Sequence, residues 1–137
     1  MVRIADLESG PYWKLVNMTT ETAPDGEILA VLKVTDELLQ VYGNVHGGVI
    51  AALMDSCIAI ALNQQLGPSK GATTVEMKLN YLRPVSKGIL KGQGRVIQMG
   101  RRILVGQGEI RDEEDNLVAI GTATFVIIDK PFNLRTS

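Results

Sequence analysis

The sequence predicts an α+β domain in which strands surround one buried helix. Its 137 residues suit a single hydrophobic core, and we interpret residues 1–137 as one domain with an N-terminal arm or short helix at residues 1–10. Residues 49–66 form an apolar run without proline or glycine, which is typical of a helix. The strand-like segments after this run carry small residues on one face. Strands that both precede and follow a single helix along the sequence indicate the α+β class.

Composition narrows the classes of function. An apolar content of 45% with 21% charged residues is ordinary for a globular protein, and a net charge of −1 does not favour a nucleic-acid partner. One histidine and one cysteine cannot supply a structural zinc site, so we expect no metal. The lone Cys57 excludes an internal disulfide, and the first residues lack the apolar stretch of a signal peptide. We therefore expect a cytoplasmic protein.

Two strand-like segments precede the helix. Residues 12–20 are predicted to form the first strand, and residues 23–26 have the composition of a turn. Residues 27–35, rich in isoleucine, leucine and valine, are predicted to form the second strand. Together they predict a β-hairpin. Residues 36–42 then connect this hairpin to the helix.

The predicted helix begins at His46-Gly47-Gly48, ends at Gly67-Pro68 and is apolar on every side. Such a helix is buried rather than laid on a surface. Its run of about 14 apolar residues, interrupted by Asp55, is too short and too charged to cross a bilayer, so we expect no membrane partner. Asp55 is the only formal charge between Glu37 and Lys70.

Four further strands are predicted after the helix. Residues 74–81 alternate strictly between polar and apolar, which indicates a half-buried strand. Residues 89–98, 103–111 and 117–127 each carry small residues on one face, namely Gly92, Gly94, Gly106, Gly108, Ala119, Gly121 and Ala123. Either the helix approaches the backbone there, or the glycines permit strong curvature, and the two explanations are compatible. The acidic residues 112–116 are interpreted as a solvated turn.

The helix also carries the candidate chemistry. The Gly47 and Gly48 amides at its N-terminus are expected to be free donors for an oxyanion hole. Asp55 can act on the acyl group held there, either as a general base toward water or as the nucleophile. The alternative is that the glycines only cap the helix and that Asp55 is hydrogen-bonded to a serine or threonine. Nine helical residues separate His46 from Asp55 by roughly 13 Å, so both can serve one site only across a subunit interface.

Three segments, GNVHGGVIAALMD, TVEMKLNYLRPV and GRRILVGQGEI, resemble the hotdog-fold acyl-CoA thioesterases, in particular the phenylacetate-degradation-related group. The similarity extends over about residues 27–127. It implies a six-stranded antiparallel sheet wrapped around the helix, and a homodimer that commonly pairs into a homotetramer. It also implies an acyl-CoA substrate, with coenzyme A as part of the substrate and no separate cofactor.

The resemblance further implies roles for individual residues. Asp55 corresponds to the catalytic carboxylate, Gly47 to the oxyanion amide, and His46 to a residue that orients the loop or the thioester. Thr74 matches a residue that positions water, or is an ordinary strand threonine. Gln40 stands where relatives commonly carry an asparagine near the nucleophilic water or the acyl carbonyl, and its longer side chain keeps the amide. We expect the substrate to contact the following residues, of which the arginines would bind phosphate: Asn44, Gly48, Arg83, Arg101 and Arg102.

Two other functions stay open at this point. One is a non-catalytic protein that binds acyl-CoA for regulation, although no second domain for an output is evident in the sequence. The other is a hotdog dehydratase or hydratase, which would normally show a different pattern of histidine and carboxylate. The acyl group is not predicted, because side chains of both subunits would shape its pocket.

Overall fold

The computed structural model describes residues 2–129 of the chain. Its helices are α1 (Val2–Glu8), α2 (Pro11–Val16) and α3 (Gly47–Asn63), with a short 3-10 helix at Asp36–Leu38. Its strands are β1 (Met18–Thr22), β2 (Ile28–Lys33), β3 (Gly71–Tyr81), β4 (Ile89–Met99), β5 (Ile103–Arg111) and β6 (Leu117–Ile128).

The six strands form one sheet in the order β1-β2-β4-β5-β6-β3, and every neighbouring pair is antiparallel. Helix α3 packs across this sheet and contacts β2, β3, β4, β5 and β6. The predicted α+β architecture, a six-stranded antiparallel sheet around one long helix, is therefore confirmed. Within residues 2–129 no helix has both the length and the apolar character needed to cross a membrane. Met1 and residues 130–137 lie outside the described part of the chain, so the boundaries of the single domain stay a prediction.

The N-terminal segment differs from the prediction. Residues 12–16 were expected in a strand, but they belong to helix α2, and β1 begins only at Met18. Proline at the first helical position has the backbone angle that a helix requires. Trp13 and Val16, three residues apart on this helix, are both buried in the core. Asn17 then ends the helix in a left-handed conformation with φ of 60°. Burial of one helical face thus outweighs the strand propensity of the aromatic and β-branched residues.

Helix α3 ends at Asn63, four residues before the predicted glycine and proline, because the chain tightens into a turn in which the Gln65 N–H bonds to the Leu62 carbonyl at 3.1 Å. One face of the helix is also less covered than expected. We call it the small-residue face, and its half-buried members are Ala51, Ala52, Asp55, Ser56 and Ala59. The opposite face is buried against the sheet. Within residues 2–129, the helix is therefore fully covered on the sheet side and only partly covered on the small-residue face.

The backbone of α3 lies directly on the glycines of β4 and β5. A Cβ atom built on Gly94 would lie 2.3 Å from the Cys57 carbonyl oxygen, and one on Gly106 would lie 2.5 Å from Ile58 Cγ2. A Cβ on Gly108 would lie 2.7 Å from the Met54 sulfur. These distances leave no room for a side chain, which confirms the expectation that the bare strand faces accommodate the helix.

A Gly94→Ala substitution is expected to lower the free energy of unfolding by about 3 kcal/mol, because the added methyl group collides with helix backbone that cannot rotate away. Chemical denaturation measures this change. Gly67→Ala is the matched control, since a Cβ at Gly67 meets no atom within 4 Å. Equal stability of the two variants would contradict the close approach of α3 to β4.

The Cys57 thiol is enclosed where α3 meets β4 and β5, and a Cβ built on Gly92 or Gly108 would lie 3.1 Å from its sulfur. Burial, with a smaller contribution from the negative charge of Asp55, raises the pKa of the Cys57 thiol to about 12. A folded pKa above that of the unfolded chain means that the neutral thiol adds stability. This stability is complete below the unfolded pKa of about 8.5, and it is lost as pH rises toward the folded value.

We therefore expect iodoacetamide at pH 8 to alkylate Cys57 at least about 100-fold more slowly in the native protein than in urea, because the reactive thiolate is scarce and buried. Mass spectrometry over time measures both rates. Similar rates in the two conditions would show that the helix does not cover the thiol as described.

Candidate active site

The N-terminus of α3 is capped by His46. The His46 Nδ1 atom accepts a hydrogen bond from the Gly48 N–H at 2.8 Å, which assigns the proton of the neutral ring to Nε2. The Gly48 amide is therefore engaged, and the expectation that it is a free donor is wrong, because the histidine side chain satisfies it first. The Gly47 N–H has no hydrogen-bond partner within residues 2–129. Gly47 is thus the one of the two glycines whose amide can bind a ligand.

Tyr81 closes the other side of Gly47. Its hydroxyl donates a hydrogen bond to the Gly47 carbonyl oxygen at 2.8 Å. A Cβ on Gly47 would lie 3.2 Å from the Tyr81 Oη atom and 3.3 Å from Cζ, so the ring rests against the glycine. Tyr81 received no role from the sequence. Tyr81 lies at the end of β3 on the same face as Met77 and Leu79, and this alternation indicates that its side chain faces α3.

Asp55 lies on the small-residue face, two turns along α3. The Thr74 hydroxyl donates a hydrogen bond to Asp55 Oδ1 at 2.7 Å, while Oδ2 has no hydrogen-bond partner among the described residues. The Asp55 side chain is half-buried. Partial exposure and one hydrogen bond together make a carboxylate tolerable in this apolar helix. The predicted hydrogen bond to a threonine is thus present, and one carboxylate oxygen is still available.

A bulge in β3 turns Thr74 toward Asp55. The pairing with β6 joins Thr74 to Phe125 and Glu76 to Thr124, so that Val75 is skipped. Without the bulge, strict alternation would put Thr74 on the opposite face from Met77 and Tyr81. With it, Thr74 faces the helix and Val75 is 58% exposed. The perfect alternation predicted for residues 74–81 therefore holds only after the bulge.

Gln40 holds the loop that leads into α3. Its side-chain oxygen accepts hydrogen bonds from the Tyr42 N–H at 2.7 Å and from the Asn44 N–H at 3.2 Å. The Gln40 N–H also bonds to the Asn44 carbonyl at 2.7 Å. The amide oxygen expected near the nucleophilic water is thus committed to the loop, and the loop presents Val41 and Tyr42 to solvent at 94% and 87% exposure.

The three arginines expected to bind phosphate lie at two separate places. Arg83 follows the end of β3 at Tyr81, which pairs with Ala119. Arg101 and Arg102 lie in the turn between β4 and β5, where the Arg102 carbonyl accepts a bond from the Ile127 N–H at 2.8 Å. Ile127 pairs with Ala72 at the opposite end of β3. All three arginine side chains are exposed, and a single chain does not bring them together.

One chain therefore contains two half-sites at different levels of α3. We call Gly47, His46 and Tyr81 the amide half-site, and Asp55 with Thr74 the carboxylate half-site. Eight helical residues separate Gly47 from Asp55, or roughly 12 Å along the axis. Both residues lie in the continuous helix Gly47–Asn63, which keeps them apart within one chain. Among the described residues no group of three or more histidine, cysteine, aspartate or glutamate side chains is placed to hold a metal ion.

Known proteins resemble the chain in sequence and in fold. A family model described as the thioesterase superfamily matches residues 42–119. A Haemophilus influenzae protein assigned as an esterase is 32% identical over 102 residues, which cover 74% of each chain. The 1,4-dihydroxy-2-naphthoyl-CoA hydrolase of Listeria monocytogenes is 26% identical over 105 residues, which cover 77% of this chain and 85% of the hydrolase.

The chain is also similar in fold to solved structures. The thioesterase HI1161 from Haemophilus influenzae superposes with a TM-score of 0.83 at 28% identity, covering 90% of this chain and 86% of that one. The Escherichia coli PaaI protein from the phenylacetic acid degradation operon has the same fold, with a TM-score of 0.83 at 22% identity over 94% and 92% of the two chains. The protein belongs to the thioesterase superfamily of hotdog-fold proteins, as the resemblance predicted.

Proposed function

We propose that the protein hydrolyses acyl-CoA thioesters to a free acid and coenzyme A at a site shared by two chains. Membership of the thioesterase superfamily supports a hydrolase, and the Listeria relative is a CoA thioester hydrolase by name. One observation carries the proposal. The Gly47 N–H and Asp55 Oδ2, neither of which has a hydrogen-bond partner within residues 2–129, belong to the same helix, and Asp55 lies on its partly covered small-residue face.

The two half-sites supply complementary chemistry. The thioester carbonyl oxygen accepts a hydrogen bond from the Gly47 N–H, which stabilises the negative charge that develops there with help from the helix dipole. Asp55 takes a proton from water as the water oxygen attacks the carbonyl carbon. The C–S bond then breaks, and the coenzyme A sulfur takes up that proton. Direct attack by Asp55 is the alternative route, with hydrolysis of the resulting anhydride. Thr74 holds Oδ1, so that Oδ2 is the reacting oxygen in either route.

A two-fold dimer unites the half-sites. Strand β3 is the longer of the two edges of the sheet, and its outer backbone groups can pair with a second copy. Thr74 contacts Asp55, and Tyr81 contacts Gly47. An antiparallel pairing with Thr74 opposite the partner's Tyr81 therefore brings the partner's Gly47 toward Asp55. Because the bulge skips Val75, this pairing puts Lys78 opposite the partner's Lys78, and the two-fold axis would pass beside that pair.

The same axis agrees with the surface of α3. The midpoint between Gly47 and Asp55 is Ala51, a member of the small-residue face. Small side chains at the midpoint allow two antiparallel helices to approach closely across the axis. One symmetry operation thus accounts for the open strand edge and for the partly covered helix face. Association of two such dimers into a tetramer stays a prediction.

This dimer also gathers the cations that a coenzyme A phosphate requires. In the proposed register the partner's Arg83 lies opposite Ala72. Ala72 in turn pairs with Ile127 of β6, whose N–H bonds to the Arg102 carbonyl. Strand spacing then puts the backbone of that arginine within roughly 15 Å of Arg102. Long arginine side chains from both chains can reach phosphate groups across such a gap. Arg83 and Arg102, which are far apart in one chain, would thus be neighbours in the proposed dimer.

A thiol-release assay over aryl, short-chain and medium-chain acyl-CoAs tests the proposal. We expect at least one substrate to release coenzyme A and free acid in equal amounts, as measured by thiol titration and mass spectrometry. A thioester bound tightly without turnover would instead assign a binding function. An enoyl-CoA added to the same screen would assign a hydratase if its product were heavier by one water, added across the C=C bond, with the thioester intact.

A further inference from the structure

We infer that Tyr81 is a positioning residue that fixes the direction of the Gly47 N–H. The inference rests on the proposed hydrolase function, in which this N–H binds the thioester oxygen. Tyr81 does not touch the reacting atoms in this arrangement, because its hydroxyl is directed at the Gly47 carbonyl. Its effect on the reaction would pass through the glycine.

Gly47 needs an external constraint. Glycine has no side chain and samples a wide range of backbone angles, and the first residue of a helix has no hydrogen bond on its own N–H. Two contacts limit this freedom. On one side the Tyr81 hydroxyl bonds to the Gly47 carbonyl at 2.8 Å, and on the other the His46 ring bonds to the Gly48 N–H at 2.8 Å. Both contacts fix the plane of the Gly47–Gly48 peptide. The Gly47 N–H belongs to the preceding peptide, and the ring of Tyr81, which rests against Gly47, limits rotation of that peptide relative to the fixed one.

Strand β3 holds Tyr81 in place. Tyr81 pairs with Ala119 of β6, and the next residue along the chain, Leu82, donates its N–H to the Val118 carbonyl at 2.8 Å. The tyrosine itself is 54% exposed, so its hydroxyl is not part of the hydrophobic core. Removal of this oxygen therefore changes the contact with Gly47 without opening a cavity.

The kinetic consequence follows from the position of the contact. A hydrogen-bond donor stabilises a transition state best when it is already aimed at the developing charge. Loss of the Tyr81 hydroxyl would widen the range of directions of the Gly47 N–H while leaving the arginines and the acyl pocket unchanged. We therefore expect kcat to fall by about 3- to 10-fold and KM to change by less than about 2-fold in Tyr81→Phe.

The test compares Tyr81→Phe with Tyr12→Phe, which removes a hydroxyl from the exposed surface of α2. Both variants are also made in a Gly47→Pro background, where the N–H no longer exists. A positioning role predicts that Tyr81→Phe lowers kcat only in the chain that keeps Gly47, and that Tyr12→Phe has no effect in either. A merely structural bond between β3 and α3 would lower kcat equally in both backgrounds.

The outcomes separate the two proposals. An active wild-type enzyme whose kcat is unchanged by Tyr81→Phe, or is lowered equally in both backgrounds, overturns the positioning role and leaves the hydrolase function standing. Absence of turnover by the wild type with every acyl-CoA overturns the hydrolase function, and the positioning role with it.

Discussion

Replacing Asp55 with asparagine is expected to lower kcat by about 10²- to 10⁴-fold, the range that a general base contributes. Asparagine has the same size and its side-chain oxygen can still accept the hydrogen bond from Thr74. It has no negative charge and cannot take a proton from water at neutral pH. The fold is expected to persist, because removal of a half-buried charge does not open a cavity.

The assay for this variant is steady-state hydrolysis of the best acyl-CoA substrate, with the unfolding midpoint measured in parallel. Asp36→Asn is the matched control, because Asp36 is an exposed aspartate in the 3-10 helix that precedes the loop. We expect the control to keep the wild-type rate. Full activity of Asp55→Asn would remove the carboxylate from the mechanism.

The second large effect is expected from Gly47→Pro, which should lower kcat by about 10²- to 10³-fold, as loss of one oxyanion donor does. Proline is well tolerated at the first position of a helix, and Gly47 is that position. The preceding residue, His46, has φ of −58° and ψ of 135°, an extended conformation that is compatible with a following proline. The substitution therefore removes the N–H while the helix can still begin at the same residue.

Gly47→Ala is the control that isolates the N–H. Both substitutions add a Cβ that meets Tyr81, at 3.2 Å from its hydroxyl in the present geometry, but alanine keeps the amide hydrogen. A contact of 3.2 Å is relieved when Tyr81 shifts by a few tenths of an ångström, so its hydroxyl can still reach the residue-47 carbonyl, and we expect Gly47→Ala to lose less than about 3-fold in kcat. Equal losses in the alanine and proline variants would mean that space at Gly47, and not its N–H, matters for catalysis.

The elements that the sequence predicts well are those with a strong and uninterrupted pattern. The long apolar composition of α3 and the glycines at alternate positions of β4 and β5 predict a helix packed on bare strands, and the structure has both. The strand predicted for residues 12–16 is wrong because a single buried helical turn, anchored by Trp13 and Val16, decides the conformation there. Such burial depends on distant strands, which a local pattern does not contain.

The candidate site is predictable in outline and not in detail. Helix geometry alone separates Gly47 from Asp55, so a site that uses both residues is predicted to include a second chain. The hydrogen bond from Thr74 to Asp55 depends on the bulge at Val75, which turns the Thr74 side chain to the helix side of the strand. The alternating sequence pattern gives no sign of this bulge. The capture of the Gly48 N–H by His46 likewise depends on a side-chain rotamer. Details of this kind arise from tertiary geometry.

Subunit complementation tests the shared site most directly. One chain carries Asp55→Asn and the other Gly47→Pro, each with a different affinity tag, and the mixed dimer is purified through both tags after co-expression. In a site shared by two chains, the mixed dimer keeps one intact pair, namely Asp55 of the second chain with Gly47 of the first. The account predicts about half of the wild-type rate for the mixed dimer, since one of its two sites is complete. A rate no higher than that of either parent variant would contradict it.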